Sequence, residues 1–274
     1  MSGQGSAPRR FVPPLRGEVE AECFNHPLLA PFGCWRALLE APQWPDMAAL
    51  NAAVAVAGKW FVRQDEALLA DGLHYEQRIA AGAIATREAN WHDFFNALVW
   101  ARYPAIKRAL NARQCAAIAE VGTRQRNRAQ QALTQFDESG LVVRVRDRAL
   151  LAAWDAHDWR TLFVDQAAAW QRGEMAVAAS VGHALLEQCL LPGRRIVGKA
   201  LVVVASDDAA AITQVVQAIS EGRVLQQAAE LRPLPLAGIV GWHRQQDSGF
   251  YADADYFRPR RAGRVYPPPL RAQA

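Results

Sequence analysis

Three polar spots set in apolar stretches are the places where this chain can do chemistry. The first is Glu88, His92, Asp93 and Asn96, within a stretch at 86–100 that also carries Trp91, Phe94, Phe95, Leu98, Val99 and Trp100. On a helix, Glu88, His92 and Asn96 fall four apart and form one row, with Asp93 beside it. The second spot is Asp137 with Glu138. The third is His183 with Glu187, again four apart, among Val181, Ala184, Leu185, Leu186 and Leu190. Imidazole and carboxylate donors without a thiolate suit a divalent metal such as Zn, Mn or Fe. Helices presenting such groups inward are one way to build a metal site in a helical core. A water on that metal can serve as nucleophile in hydrolysis. His92, Asp93, Asp137, Glu138 and His183 are therefore the candidate catalytic residues. His92, Asp137, His183 and Glu187 are the candidate metal ligands. The competing reading makes the same groups a structural polar core, since buried polar groups must find partners or cost roughly 1–3 kcal/mol each. Neither HExxH nor a twin ExxH motif is present.

A second set of residues points to anions. Between 102 and 128 lie Arg102, Lys107, Arg108, Arg113, Arg124, Arg126 and Arg128 against Glu120 alone. Lys107, Asn111, Arg113, Arg124 and Arg126 can hold a phosphate or another small anionic ligand, with Asp137 and Glu138 acting as base or sugar ligand. A further basic cluster is Arg258, Arg260, Arg261, Arg264 and Arg271. The chain's net charge is +4 and its pI is near 9.1, so the positive charge is not spread evenly. The alternative function is a non-catalytic module that binds nucleic acid or protein through the basic 102–128 segment. P-loop, GxGxxG and GxSxG motifs are all absent, which argues against common nucleotide folds and serine-hydrolase chemistry.

The elements that must position these residues are mostly helical. The apolar content and nine tryptophans predict a mainly α fold (α+β with a small irregular β component) in one compact domain over 19–265. A flexible leader is expected over 1–18 and a flexible tail over 266–274. The 86–100 stretch predicts a helix buried on most sides, with its N-cap near Thr86. A hairpin is expected from 59–64 and 73–79, with His74 an ordinary surface histidine on its second strand. A helix follows Pro104. Asp137 and Glu138 fall on a turn between a short helix and a strand at 141–145. Further helices are expected at 147–154, 157–170, 175–191 and 209–220, with a short one at 224–230. The run at 200–204 suits either a strand or a buried helix. The four cysteines are scattered without a CxxC, and no apolar run is long enough to cross a membrane. With no signal-peptide core, these features lead to the expectation of a cytoplasmic protein with reduced thiols.

Several strings carry a resemblance to a known family. They are Asn90-Trp-His-Asp-Phe-Phe-Asn-Ala-Leu-Val-Trp100, Leu110-Asn-Ala-Arg113, Phe136-Asp-Glu-Ser-Gly140, Gly182-His-Ala-Leu-Leu-Glu187 and Gly238-Ile-Val-Gly-Trp242. By them the chain resembles the bacterial domain-of-unknown-function family numbered 3025, over most of its length. The resemblance implies a single-domain cytoplasmic protein and implies no activity, so the chemistry must be read from the residues themselves.

Overall fold

The computed structural model describes residues 11–272. Short helices α1 (Arg36–Glu40) and α2 (Met47–Ala53) lead into β1 (Trp60–Arg63). Then come α3 (Glu66–Leu69), α4 (Tyr75–Ala80) and β2 (Ala83–Thr86). β1 and β2 pair in parallel, Trp60 beside Ala83 and Arg63 beside Thr86. The expected hairpin of 59–64 with 73–79 is thus overturned. Residues 75–80 are helical because His74 caps them: its Nδ1 accepts from the Glu76 N–H at 3.2 Å, and Gln77 closes a capping box. A parallel pair needs a crossover, and α3 and α4 supply it.

Next comes the helical hub, α5 (Trp91–Arg102), α6 (Pro104–Val121) and α7 (Arg128–Ser139). α5 is buried without a break from Asp93 to Trp100, as its all-round apolar sequence requires. Its N-cap is Asn90, whose Oδ1 accepts from the Asp93 N–H at 3.0 Å. Thr86, the expected cap, instead ends β2. Glu88 therefore lies before the helix, exposed, 3.3 Å from Arg63 in an ion pair, and outside the His92 row. Pro104 starts α6 at a position where no N–H is needed.

The remaining elements are β3 (Gly140–Val145), α8 (Leu151–Ala156), α9 (Ala167–Gln171), β4 (Met175–Ser180), α10 (His183–Gln188), β5 (Val197–Val204), α11 (Asp208–Ser220), β6 (Arg232–Pro235) and β7 (Leu270–Arg271). They form a mixed five-stranded sheet of order β4-β3-β5-β6, with β7 also on β5. β3 is buried at all six positions, the pattern of a central strand covered on both faces. It runs parallel to β5 and antiparallel to β4. α11 packs on β3, β4, β5 and α6, while α7 packs on β5, α6 and α10. The described chain is thus mainly helical with two small sheets.

Three further expectations change. The helix expected over 175–191 is a strand followed by a short helix. The Ala-rich run is recruited by β3, whose free edge supplies backbone partners that outweigh alanine's helix preference. His157, expected to open a helix, closes α8 in a left-handed conformation at φ 57°. Residues 224–230 form only a 3-10 turn, Ala228–Glu230, after Leu225 turns at φ 60°. The 200–204 run is strand. Of the expected leader, 1–10 lie outside the described residues, as do 273–274 of the expected tail. Within 11–18, Arg16 is buried, its guanidinium 4.4 Å from the Trp44 ring and 4.8 Å from that of Trp91. Leu270–Arg271 pairs with β5. Among the described residues, no helix is long and apolar enough to cross a membrane.

Gly182, between β4 and α10, sits against the end of α7. A Cβ there would lie 2.5 Å from the Ser139 Cα and 2.6 Å from the Gly140 N. Both are backbone atoms, so nothing flexible can give way. Gly182→Ala is expected to destabilise the fold by about 3 kcal/mol or more in urea denaturation. Gly33→Ala, where a Cβ meets nothing within 4 Å, should stay within about 0.5 kcal/mol of the wild type.

Candidate metal centre

Three helices bring the polar spots together. His92 stands in the first turn of α5 and His183 is the first residue of α10. Asp137 and Glu138 lie in the last turn of α7, not on the loop expected for them. Phe136, fully buried, anchors that turn. Gly140 then lets the chain pass directly into β3, because a Cβ there would fall 2.1 Å from the Phe136 carbonyl oxygen. The two carboxylates are therefore held where helix and central strand meet.

The Nε2 atoms of His92 and His183 are 3.0 Å apart. Glu138 Oε2 lies 3.7 Å from the first and 3.6 Å from the second. One donor atom from each of these residues falls within 4.8 Å of the others. The opposite ring nitrogens also face carboxylates. His92 Nδ1 is 3.5 Å from Glu187 Oε2, and His183 Nδ1 is 4.0 Å from Asp137 Oδ2. His183 Nδ1 is buried with no hydrogen-bond partner. Lys107 Nζ donates to Asp137 Oδ1 at 2.5 Å and to Asn96 Oδ1 at 2.9 Å. Asn96 donates in turn to the Tyr75 hydroxyl at 3.1 Å. Asp93 does not join the cluster through its carboxylate, which accepts from the Arg87 guanidinium at 2.8 and 2.9 Å.

Burial and neighbouring charges set the protonation states. Burial pushes His183 down to about 3, so it is a neutral imidazole near pH 7. Burial also pulls on His92, but the Glu187 hydrogen bond and the Glu138 charge outweigh it and hold His92 above the usual histidine value. Burial opposes ionisation of Asp137, yet the Lys107 ammonium overcomes it and keeps this carboxyl below its ordinary range. Glu138, without such a partner, is raised by burial.

The cluster opens onto a pocket of about 370 Å³. Of the residues expected to hold an anion, Lys107, Asn111 and Arg126 line it. Asn111 donates to Glu76 Oε2 at 2.7 Å. Arg113 and Arg124 are not brought to it: Arg113 donates to the Val224 carbonyl, 2.5 Å away, and Arg124 is exposed and outside the lining. Sequence reasoning missed His74, Tyr75, Glu76 and Arg87, which line the same pocket. The only local signal was the His74–Gln77 capping box, which would have placed α4 and turned Tyr75 and Glu76 from strand to helix residues.

No curated protein and no solved structure matches the chain. The model of the family described as "Protein of unknown function (DUF3025)" matches residues 60–261, a span that holds every residue of the cluster and bears out the resemblance carried by the sequence strings, and the chain belongs to that family.

Proposed function

We propose that this protein is a metal-dependent hydrolase acting on a small anionic substrate, with His92, Glu138 and His183 holding a divalent ion of the Zn, Mn or Fe class. One observation carries the reading: both imidazoles turn Nε2 toward each other and toward Glu138, while each Nδ1 faces a carboxylate. With their Nδ1 protons directed to Glu187 and Asp137, the two rings would present lone pairs to each other across 3.0 Å. Such an arrangement calls for a cation. Metal–ligand bonds of about 2.0–2.2 Å in tetrahedral geometry separate neighbouring ligand atoms by roughly 3.3–3.5 Å. The three separations of 3.0, 3.6 and 3.7 Å bracket that value. Two histidines and a glutamate with an open fourth position form a catalytic rather than a closed structural set. Carboxylates behind the histidines fix their orientation and raise their basicity. In this reading Asp137 and Glu187 act from behind the ligands, and Asp93 holds Arg87 at the pocket wall.

The metal would supply a water that ionises near neutral pH. The protein's own residues then decide what reaches it. Asp93 is neutralised by Arg87 and Asp137 by Lys107. A divalent ion would balance Glu138 and Glu187. Glu76, also in the pocket, is raised by burial toward its neutral form. Arg126, exposed in the pocket wall and in an ion pair with no described residue, favours an anionic group on the substrate. The nucleic-acid alternative has less support, because Lys107, Arg108 and Arg113 donate to Asp137, Ala57 and Val224 of the chain itself.

The test is elemental analysis of protein purified without a His-tag or chelator, beside His92→Ala. Near-stoichiometric Zn, Mn or Fe in the wild type, lost in a folded variant, is expected. Phosphoesters and amides should then be hydrolysed by the loaded wild type alone. Absence of metal from both, together with unfolding of His92→Ala, would make the cluster a structural polar core.

A further inference from the structure

A second cavity lies on the other side of α7. It encloses about 710 Å³ between β5, β6 and the C-terminal segment. Lys199, the third residue of β5, is at its floor. It is paired across the ladders with Gly140 and with Pro233, so Lys199 and Val197 share the sheet face that looks into the cavity. Pro233 and Pro235 on the neighbouring strand, with Leu231, give the floor an apolar part. Arg258, Arg261 and Arg264 come from the basic cluster near the C-terminus and form the wall.

The charges here are unlike those of the first pocket. Asp255 is the one carboxylate among the described residues of the lining. Among the described residues, none of the four cations is in an ion pair, whereas Arg232, just beneath, is paired with Asp155. Lys199 is half-buried and forms no hydrogen bond to a described residue. Burial and the Arg264 and Arg261 charges hold its ammonium below the usual lysine range. A half-buried, unpaired cation among like charges is unfavourable unless an anion arrives. A concave volume of this size fits a drug-sized ligand rather than a flat polyanion.

We infer that this cavity is a binding site for a small organic phosphate: the phosphate groups would be held by Lys199, Arg261 and Arg264, and the organic body would lie on the Val197–Leu231–Pro235 floor. The inference does not depend on the metal reading. Gln135 lines this cavity while Thr134 and Asp137, on the same helix, line the other. α7 is thus a wall common to both.

The test is calorimetric titration of the chelator-treated full chain with ATP, AMP and inorganic pyrophosphate. Saturable binding of one ATP is expected, weakened about tenfold or more by Lys199→Met and by Arg261→Ala and unchanged by Glu138→Gln. Pyrophosphate should bind more weakly than ATP, since it lacks a body to cover the apolar floor. Lys199→Met keeps the unbranched stem and loses only the ammonium, and Arg261 is exposed, so neither change should disturb folding. Four outcomes would each overturn the proposal. They are no saturable binding of ATP or AMP, binding lost in Glu138→Gln but kept in Lys199→Met, pyrophosphate bound as tightly as ATP, and a duplex oligonucleotide bound more tightly than ATP.

Discussion

His183→Ala is expected to yield a folded protein that binds the divalent ion more than about 100-fold more weakly and hydrolyses nothing. Even the groups behind metal ligands are typically worth about 10–100-fold, so loss of a direct ligand should exceed that. The fold should survive. His183 is neutral near pH 7 because burial holds it at about 3, so the change removes no charge from the core. Its Nδ1 has no hydrogen bond to lose, and its Nε2 gives up one contact, with His92 Nε2 at 3.0 Å. The cost is a small cavity, about 1–2 kcal/mol. Competition with a chromophoric chelator gives the metal affinity, and circular dichroism gives the fold. Unchanged affinity in a folded His183→Ala would remove this histidine from the ligand set. Glu187→Gln should show the intermediate effect, about 10–100-fold, because it touches only the far nitrogen of His92. The same site predicts a pH dependence. His92 has a raised pKa, so its imidazolium forms on acidification before that of an ordinary histidine. Protonation competes with the metal, so metal affinity should fall as pH is lowered, and pH-dependent chelator competition reads it.

The second large effect concerns stability. Lys107→Met is expected to destabilise the protein by about 3 kcal/mol at neutral pH. Lys107 is 4% exposed at its side chain and Asp137 28%, so removal of the ammonium strands a largely buried carboxylate. The methionine also leaves Asn96 Oδ1 without its donor. The pH dependence follows from the direction of the Asp137 shift. Its pKa is lower in the folded than in the unfolded protein. The stabilisation from ionised Asp137 is therefore fully present above the unfolded value, near 4, and disappears as pH falls through the folded value. Without Lys107 that downward shift is lost. In the variant burial opposes ionisation of Asp137 with no ammonium to offset it, so the gap between wild type and variant should begin to shrink already as pH falls toward the carboxylate range and go on shrinking through the wild-type folded value; urea denaturation at several pH values reads it. The double change Lys107→Met with Asp137→Asn should recover much of the loss, because it removes both charges together. A single-variant cost below about 1 kcal/mol would mean that water already solvates Asp137.

Some of this was legible in the residues alone. The 91–100 core of α5 could be read from composition: an unbroken apolar run with His92 and Asn96 inside can exist only as a buried helix with a polar network. The candidate residues His92, Asp137, Glu138, His183 and Glu187 stood out for the same reason, as polar groups in segments too apolar for solvent. The mainly helical character and the 141–145 strand followed from local pattern. Local pattern failed where another strand supplied the energy. Residues 175–180 are alanine-rich and became β4 because β3 offered it an edge. The 73–79 stretch became a capped helix because one His74 nitrogen satisfied an N-terminal N–H.

What only the tertiary structure decided is which of these residues meet, and in what role. His92 and Glu138 are 46 positions apart and His183 is 45 further on; no periodicity can bring their atoms within 4 Å. That distance is set by Gly140 and Gly182, which let α7, β3 and α10 approach to backbone contact. Nor could spacing separate Glu138, which faces both Nε2 atoms, from its neighbour Asp137, which is drawn to Lys107 and the far side of His183. Adjacent residues on a helix point about 100° apart. Arg113 and Arg126 look alike as residues of a basic segment, yet one is turned toward Val224 and the other faces the pocket. Sequence by itself determined that buried imidazoles and carboxylates must find partners. Packing of backbone against backbone determined which partners they found, because hydrogen bonds and contact ion pairs form only when the atoms meet within about 3–4 Å and local sequence fixes positions only along one element.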